Sequence, residues 1–376
     1  MTVLALVLPV AVFAQETKEI RANDLDIISD TDGRVIFEVL GEDGVTYKID
    51  SGEAFFEGPR HDIREGQDVI LQVADLGDGE QSVFLIDIVR TKGLLLIFIL
   101  FSLVTVIVGL RRGVRVVVID TGIDPGHPDL SVAGGINFTS AKGGKASAWK
   151  DDNGHGTHVA GTIAALDNSL GVVGVAPGAE LWACKALDRS GSGWLSDIIA
   201  CLDWAVLNGM QVANMSLGAQ GGNESYETAC NAAKAAGVVL AAAAGNDGDG
   251  NPATDDVDWP GAYASTIAVA ATDDTDTVAS FSSDGDAVSV AAPGVAILST
   301  YKGGGLAIGD GTSMATPHVA GVAALLIEDY ALSPDCVQTL LESSAVDLGD
   351  PGRDPFYGTG RIDAAAAYAA AATGCP

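Results

Sequence analysis

The chain has 376 residues, 48% of them hydrophobic and only 6% aromatic, with a net charge of −30. That length allows two or three domains, and the apolar fraction is ample for a large core. Residues 1–112 carry 10 basic and 19 acidic side chains, and residues 113–376 carry 10 and 31, so both parts are acidic and nucleic-acid binding is not expected. In the second part 26 of the 31 acids are Asp, which suits either an acid-rich solvated surface or Ca²⁺ loops built from hard oxygen ligands.

Residues 2–14 form an apolar run that ends in "VFAQ" and is too short to cross a bilayer unaided. Val12 and Ala14 fit a signal-peptidase site, although the usual basic start is missing. Between residues 21 and 90 the runs "GRVIFEVL", "VTYKID", "QDVILQVADL" and "SVFLIDIV" read as short strands, separated by the turn signals "GEDG" and "GDGE". This spacing predicts a small β-barrel or sandwich. Residues 93–110, "GLLLIFILFSLVTVIVGL", form an uncharged run of 18 residues with Arg90 and Lys92 before it and Arg111 and Arg112 after it. Its length and basic flanks predict one transmembrane helix and hence a membrane partner. Together, these first 110 or so residues resemble the start of YibE/F-like multi-pass membrane proteins.

From Gly113 the pattern changes. "VRVVVID" is a β-branched run of the kind that is buried on both faces of a sheet. "AELWACKALD", "VANMSLG", "GVVLAAAAGN" and "TIAVAATD" repeat the style, with the helix-like runs "HVAGTIAAL", "WLSDIIACLDWAVLNG" and "YETACNAAKAAG" between them. Strands alternating with helices predict an α/β fold: a mostly parallel sheet covered on both faces, with its site beyond the carboxyl ends of the strands.

Three stretches carry chemistry. Asp120 closes a strand and precedes Thr121 and Gly122, which puts it in that crevice. In "DDNGHGTHVAGT", His155 and His158 stand where a helix starts, since Val159, Ile163 and Leu166 follow at helical spacing. Their i,i+3 spacing without a Glu does not match the HExxH metal pattern, so one His reads as a general base and the other as a packed residue. In "DGTSMATPHVAG", Ser313 precedes a helix-like run that contains Pro317. Proline is tolerated in the first helical turn, so the helix is expected to begin within a few residues of Ser313. Its hydroxyl would then sit beside free N–H groups at the positive end of a helix dipole, a place suited to an N-cap or to a nucleophile that builds an oxyanion.

"VVVIDTGID", "HGTHVAGT" and "GTSMATPHVAG", in this order over about 260 residues, resemble the three catalytic motifs of subtilisin-like serine proteases. The resemblance implies a three-layer α/β sandwich and a serine endopeptidase acting on polypeptides. It makes Ser313 the nucleophile, His155 the base and Asp120 the group that orients the imidazole. "AAAAGND" then supplies Asn246 as an oxyanion donor. "NMSLG" (Ser216, Leu217, Gly218) and "SGSGW" (Gly191, Ser192, Gly193) resemble the two edges between which an extended peptide lies. "LDNSLGVVGVAP" resembles the family's Ca²⁺ loop. Its ligands would be the side chains of Asp129 and Asn168 and the carbonyls of Leu166, Leu170 and Val172, with Asp167 beside them. His127, His158 and His318 read as packed residues.

The chain departs from the family in two places. Residues 21–90 lack the expected propeptide pattern. The N-terminal arm, which in the family completes the Ca²⁺ site, is replaced by the 93–110 run, with only Arg111, Arg112 and Gly113 before "VRVVVID". An alternative function follows from this: a membrane-anchored module that binds peptides without turnover. The side of the membrane on which the protease part lies is left open. The five cysteines, all after residue 113 and none in a CxxC, argue against a zinc site. Cys336 with Cys375 and Cys201 with Cys230 are plausible pairs in an exported protein.

Overall fold

The structure, a computed structural model of the chain, describes residues 17–31, 34–41, 44–50, 69–77, 80–88, 113–139, 145–251 and 253–375. The chain divides into two compact units, Met1–Arg111 and Arg112–Pro376. The expected leader at 2–14 and transmembrane helix at 93–110 both lie outside the described residues. Among the described residues no helix is long and apolar enough to cross a membrane.

In the first unit, β1 (Thr17–Thr31), β2 (Arg34–Gly41), β3 (Thr46–Asp50), β4 (Val69–Gly77) and β5 (Glu80–Ile88) form one antiparallel sheet in the order β3-β2-β1-β4-β5. The edge strands β3 and β5 approach each other without pairing, so the sheet curls toward an open barrel. Strands β2 to β5 coincide with the four runs read from the sequence, whereas β1 does not. Its register against β2 shifts between Asn23 and Asp26 and between Ile27 and Ser29, and such bulges break the alternation by which a strand is recognised.

The second unit is built on a sheet of seven strands. They are β6 (Arg115–Asp120), β7 (Val132–Asn137), β8 (Glu180–Lys185), β9 (Val212–Met215), β10 (Val239–Ala243), β11 (Ile267–Thr272) and β12 (Val288–Pro293), in the order β12-β11-β10-β9-β6-β8-β7. Every pairing in it is parallel. Strand β6 shows why a β-branched run suits its centre. Val116 and Val118 enter the core on one face, Val117 and Ile119 the core on the other, and all four are fully buried. Each such side chain contributes ~1.5–3 kcal/mol of burial. Helices α1 (His155–Ala164), α4 (Thr312–Tyr330), α5 (Pro334–Ser343) and α6 (Ala364–Ala371) pack on the first face, and α2 (Leu195–Leu207) and α3 (Glu224–Ala235) on the second. The result is the expected three-layer α/β arrangement. A hairpin of β13 (Ile297–Tyr301) and β14 (Gly305–Gly309) stands apart from the main sheet.

Two disulfides, Cys184–Cys201 and Cys336–Cys375, tie β8 to α2 and α5 to the C-terminal segment. The second is one of the pairings that the sequence made plausible. The first replaces the plausible Cys201–Cys230 pairing: Cys201 lies across from β8, with its Cα 5.9 Å from that of Cys184. Cys230, on α3, stays a buried free thiol.

Candidate active site

The chain crosses from β8 over β6 to β9, so β6 lies where the sheet's strand order reverses and a crevice opens at the carboxyl ends. Asp120 is the last residue of β6 and is fully buried at 0% exposure. His155 is the first residue of α1, and its Nδ1 lies 2.9 Å from both Oδ1 and Oδ2 of Asp120. The other edge of the imidazole faces the cleft, the side chain being 31% exposed.

The loop before α1 is fixed by Asp151. Its buried carboxylate accepts from the N–H groups of Asn153 (2.9 Å), Gly154 (2.8 Å) and Thr157 (3.0 Å) and from the hydroxyls of Thr121 (2.9 Å) and Thr157 (2.6 Å). Thr121 in turn accepts from the Gly156 N–H at 3.0 Å, which closes α1 onto the end of β6. Only glycine allows that approach, since a Cβ on Gly156 would lie 2.2 Å from the Gly122 carbonyl oxygen. Burial opposes the His155 imidazolium, but the Asp120 charge, its hydrogen bond and the Asp151 charge outweigh it. The net effect raises the His155 pKa above its ordinary value.

Ser313 is the second residue of α4. Its N–H has no partner among the described residues, because the first-turn bonds run from Met314 (2.9 Å) and Ala315 (3.3 Å) to the Gly311 carbonyl. Gly311, with φ +147°, makes this sharp entry. Asn246 follows β10, and its Oδ1 accepts from the Thr312 N–H (2.9 Å) and hydroxyl (3.1 Å). That leaves Nδ2 as a donor beside the start of α4. Asn246 is exposed and is not among the residues that line the cleft. Ser313 Oγ donates to the Ser216 carbonyl at 3.3 Å and makes no hydrogen bond to His155. Thus Asp120, His155 and Ser313 come to one crevice from a strand end and two helix starts.

Pro317 lies in the second turn of α4, as its sixth residue, and not in the first turn as expected. It therefore leaves the Ser313 carbonyl without its helical donor. The Ser216 hydroxyl supplies the missing bond at 2.8 Å and itself accepts from Asn214 Nδ2 at 2.9 Å.

His155 and Ser313 line a cleft of about 680 Å³. Gly191, Ser192 and Gly193 form one wall, and Ser216, Leu217 and Gly218 the other. The first wall is a tight turn in which Asp188 N–H donates to the Ser192 carbonyl at 2.8 Å.

Lys185, at the end of β8, was not anticipated from the sequence. It is 1% exposed, and its Nζ donates to the carbonyls of Thr121 (2.7 Å) and Leu187 (2.9 Å) and to Asp152 Oδ1 (2.8 Å). It pins the segment after Asp120 from behind. The other histidines among the described residues are internal. His158 Nε2 meets the carbonyls of Ile297 (3.0 Å) and Ala307 (3.1 Å), His127 Nε2 the Gly305 carbonyl (2.8 Å), and His318 Nδ1 the Met314 carbonyl (3.0 Å). Burial lowers the pKa of His158 and of His318.

The expected Ca²⁺ ligands come from two segments that meet: Asp129, between β6 and β7, and the loop of Leu166, Asn168, Leu170 and Val172 after α1. Asp129 is buried, and its oxygens accept from Asn168 Nδ2 (2.9 Å) and the Val172 N–H (2.9 Å). Asn168 Oδ1 accepts from the Leu170 N–H at 2.6 Å, and the Leu166 carbonyl from the Asn168 N–H at 2.9 Å. The carbonyls of Leu170 and Val172 have no hydrogen-bond partner among the described residues. The Asp129 carboxylate, with one amide oxygen and three carbonyls from the 166–172 loop, makes a hard-oxygen donor set of the kind that Ca²⁺ takes.

The profile of the subtilase family matches residues 111–360. Subtilisin E of Bacillus subtilis (strain 168) is 49% identical over 255 residues, which cover 68% of this chain and 65% of that protein. Subtilisin of Bacillus pumilus is 48% identical over 255 residues, 68% of this chain and 90% of its own length. The minor extracellular protease Epr of Bacillus subtilis (strain 168) is 46% identical over 266 residues, 69% of this chain and 40% of its length. The chain thus spans somewhat less than two thirds of subtilisin E.

Proposed function

The chain belongs to the subtilase family, and on that premise we propose that it is a serine endopeptidase that hydrolyses polypeptides through an acyl-enzyme on Ser313. The observation that carries the reading is the His155 imidazole, held by a buried carboxylate at Nδ1 and open at its other nitrogen to the cleft that Ser313 lines.

In this reading a peptide lies extended between Gly191–Ser192–Gly193 and Ser216–Leu217–Gly218. Its carbonyl carbon is attacked by Ser313 Oγ. The weak 3.3 Å bond from Oγ to the Ser216 carbonyl is given up for one to His155 Nε2, which accepts the proton. Asp120 keeps the imidazole in the required tautomer and stabilises the imidazolium without taking its proton. The Ser313 N–H and Asn246 Nδ2 donate to the oxyanion as charge develops. His155 then protonates the leaving amine, and water, deprotonated by the same imidazole, releases the acyl group.

Asp129 and the loop of Leu166, Asn168, Leu170 and Val172 would hold a structural Ca²⁺, whose chemistry is to cross-link the two segments. The name of Epr and the two disulfides favour export, since disulfides persist in oxidising compartments. Anchoring through residues 93–110 rests on their composition.

Labelling of the full chain with a serine-directed fluorophosphonate tests the proposal. We expect covalent label on Ser313, lost in Ser313→Ala. A module that binds peptides without turnover would take peptide into the cleft yet remain unlabelled, and that outcome would overturn the reading.

A further inference from the structure

A second oxygen-rich site lies among the loops that follow β10 and β11. Carboxylate oxygens of Asp249, Asp256 and Asp284 come within 4.8 Å of one another. Acidic clusters are ordinary on so acidic a chain, but Asp284 is not ordinary. It is 0% exposed, and neither of its carboxylate oxygens has a hydrogen-bond partner among the described residues. Oδ2 of Asp256 is likewise buried and unpartnered. A carboxylate buried without donors or a counter-charge is strongly disfavoured.

The surroundings add acceptors and no cation. Asp255 brings a further carboxylate against Gly285. No Lys or Arg among the described residues pairs with any of the four. Burial and the charges of Asp256 and Asp249 push the Asp284 carboxyl up to about 6, and the Gly250 N–H, outside hydrogen-bond geometry, offsets only part of this.

The main chain holds the three carboxylates in place. The Asp284 N–H donates to Asp256 Oδ1 at 2.7 Å, and the Asp256 N–H to the Asp284 carbonyl at 3.1 Å. Asp249 Oδ1 accepts from the Asn251 N–H (2.8 Å) and the Thr254 hydroxyl (3.0 Å). The acceptors left open are both oxygens of Asp284, Oδ2 of Asp256 and Oδ2 of Asp249. All are hard oxygens, and the exposed Asp249 leaves one side for water.

We propose that Asp249, Asp256 and Asp284 bind a Ca²⁺ ion, separate from the Asp129 loop. Ca²⁺ fits better than Mg²⁺ because it accepts irregular carboxylate sets completed by water, whereas Mg²⁺ demands a near-ideal octahedron. The ion would staple two loops. One carries Asn246, and it already meets the other through Gly248 N–H to the Phe281 carbonyl (3.1 Å), Asp247 N–H to Ser283 Oγ (3.2 Å) and Ser283 N–H to the Gly245 carbonyl (3.0 Å). The site thereby supports the oxyanion segment without touching substrate.

The test uses the full chain in a Ser313→Ala, Asp129→Asn background, which removes self-cleavage and the other loop's carboxylate. After chelation and dialysis, the protein is titrated calorimetrically with CaCl₂ and, separately, with MgCl₂. We expect one Ca²⁺ per chain, with Mg²⁺ at least tenfold weaker. Asp284→Asn should abolish the uptake. The exposed Asp249→Asn, which leaves the core intact, should weaken it at least tenfold, and this variant decides the matter if circular dichroism shows Asp284→Asn unfolded. No Ca²⁺ uptake in the background protein, or uptake indifferent to Asp249→Asn and to a folded Asp284→Asn, would overturn the site. Equal Mg²⁺ affinity would overturn the choice of ion. Because Ser313 is absent throughout, the result does not depend on the catalytic reading.

Discussion

The Ser216 hydroxyl donates to the main-chain carbonyl of Ser313 at 2.8 Å. This bond exists because Pro317, four residues after Ser313, has no N–H to give that carbonyl. The break in the α4 ladder is thus filled from the end of β9, and Ser313 is tethered to one wall of the cleft. Ser216→Ala should leave the buried carbonyl unpaired and cost about 1–3 kcal/mol. It should also lower kcat, while Ser216→Thr, which keeps the hydroxyl, should restore much of both. Melting in a Ser313→Ala background and kinetics in the active chain provide the two readouts. An unaltered melting temperature in Ser216→Ala would mean that water replaces the hydroxyl.

The raised His155 pKa sets a pH profile. A general base must be neutral, so kcat/KM should rise with pH through a value above the ordinary ~6.5 of histidine. Asp120→Asn should move that limb downward as well as reduce the rate. Stability runs the opposite way. The folded pKa is raised, so the contribution of the Asp120–His155 pair is fully present below about 6.5 and is lost as pH rises through the folded value. Melting of Ser313→Ala across this window, compared with Ser313→Ala/His155→Ala, isolates the contribution. A difference that grows with pH would contradict it.

Residues that act as a unit should not be additive. Ser313→Ala and His155→Ala are each expected to lower kcat by several orders of magnitude, and the double variant by little more. As the proposed oxyanion donor, Asn246 should on replacement by Ala lower kcat by about 10²–10³ with KM nearly constant. If the Asn246 effect falls on KM alone, the residue binds substrate and does not stabilise an oxyanion.

The Asp151 carboxylate accepts five hydrogen bonds in the turn before α1. Asp151→Asn replaces an acceptor by a donor that faces those N–H and hydroxyl groups. We expect a loss of ~1–3 kcal/mol and a lower kcat with little change in KM, since the His155 loop, and not the cleft walls, is what shifts. Chemical denaturation together with steady-state kinetics checks both. A variant of unchanged stability and kcat would show that the loop holds without the carboxylate.

Calcium at the Asp129 loop should stabilise the folded second unit by RT ln(1 + [L]/Kd), ~2.7 kcal/mol at a hundredfold excess over Kd. In a Ser313→Ala, Asp284→Asn background, which removes the proposed second ion, melting should still differ between chelator and CaCl₂. Asp129→Ala should shrink that difference. Coincident curves before Asp129 is changed would indicate that this loop does not need the ion.

Much of the second unit is written locally. Asp120 is legible because four buried β-branched residues precede it. His155 and Ser313 are legible because glycine-bounded motifs place them at helix starts, and a backbone turn depends on its own few residues. Strand β1 was hidden for the converse reason: its bulges break the alternation that would have marked it. What tertiary structure alone decided are partnerships across long stretches of chain. Lys185 reads as an ordinary charge until the β6–β8 register sets it beside Asp120. Cys184, not Cys230, reaches Cys201 because β8 passes beneath α2. Pro317 looks like a first-turn residue until α4 is seen to begin at Thr312 and Ser216, 97 residues away, supplies its missing bond. Asp284 is one of the 26 aspartates after residue 112 until folding buries it, without a donor among the described residues, beside Asp249 and Asp256. Sequence determines which groups are present and their local backbone, whereas burial and pairing depend on which distant segments the packed sheet brings together.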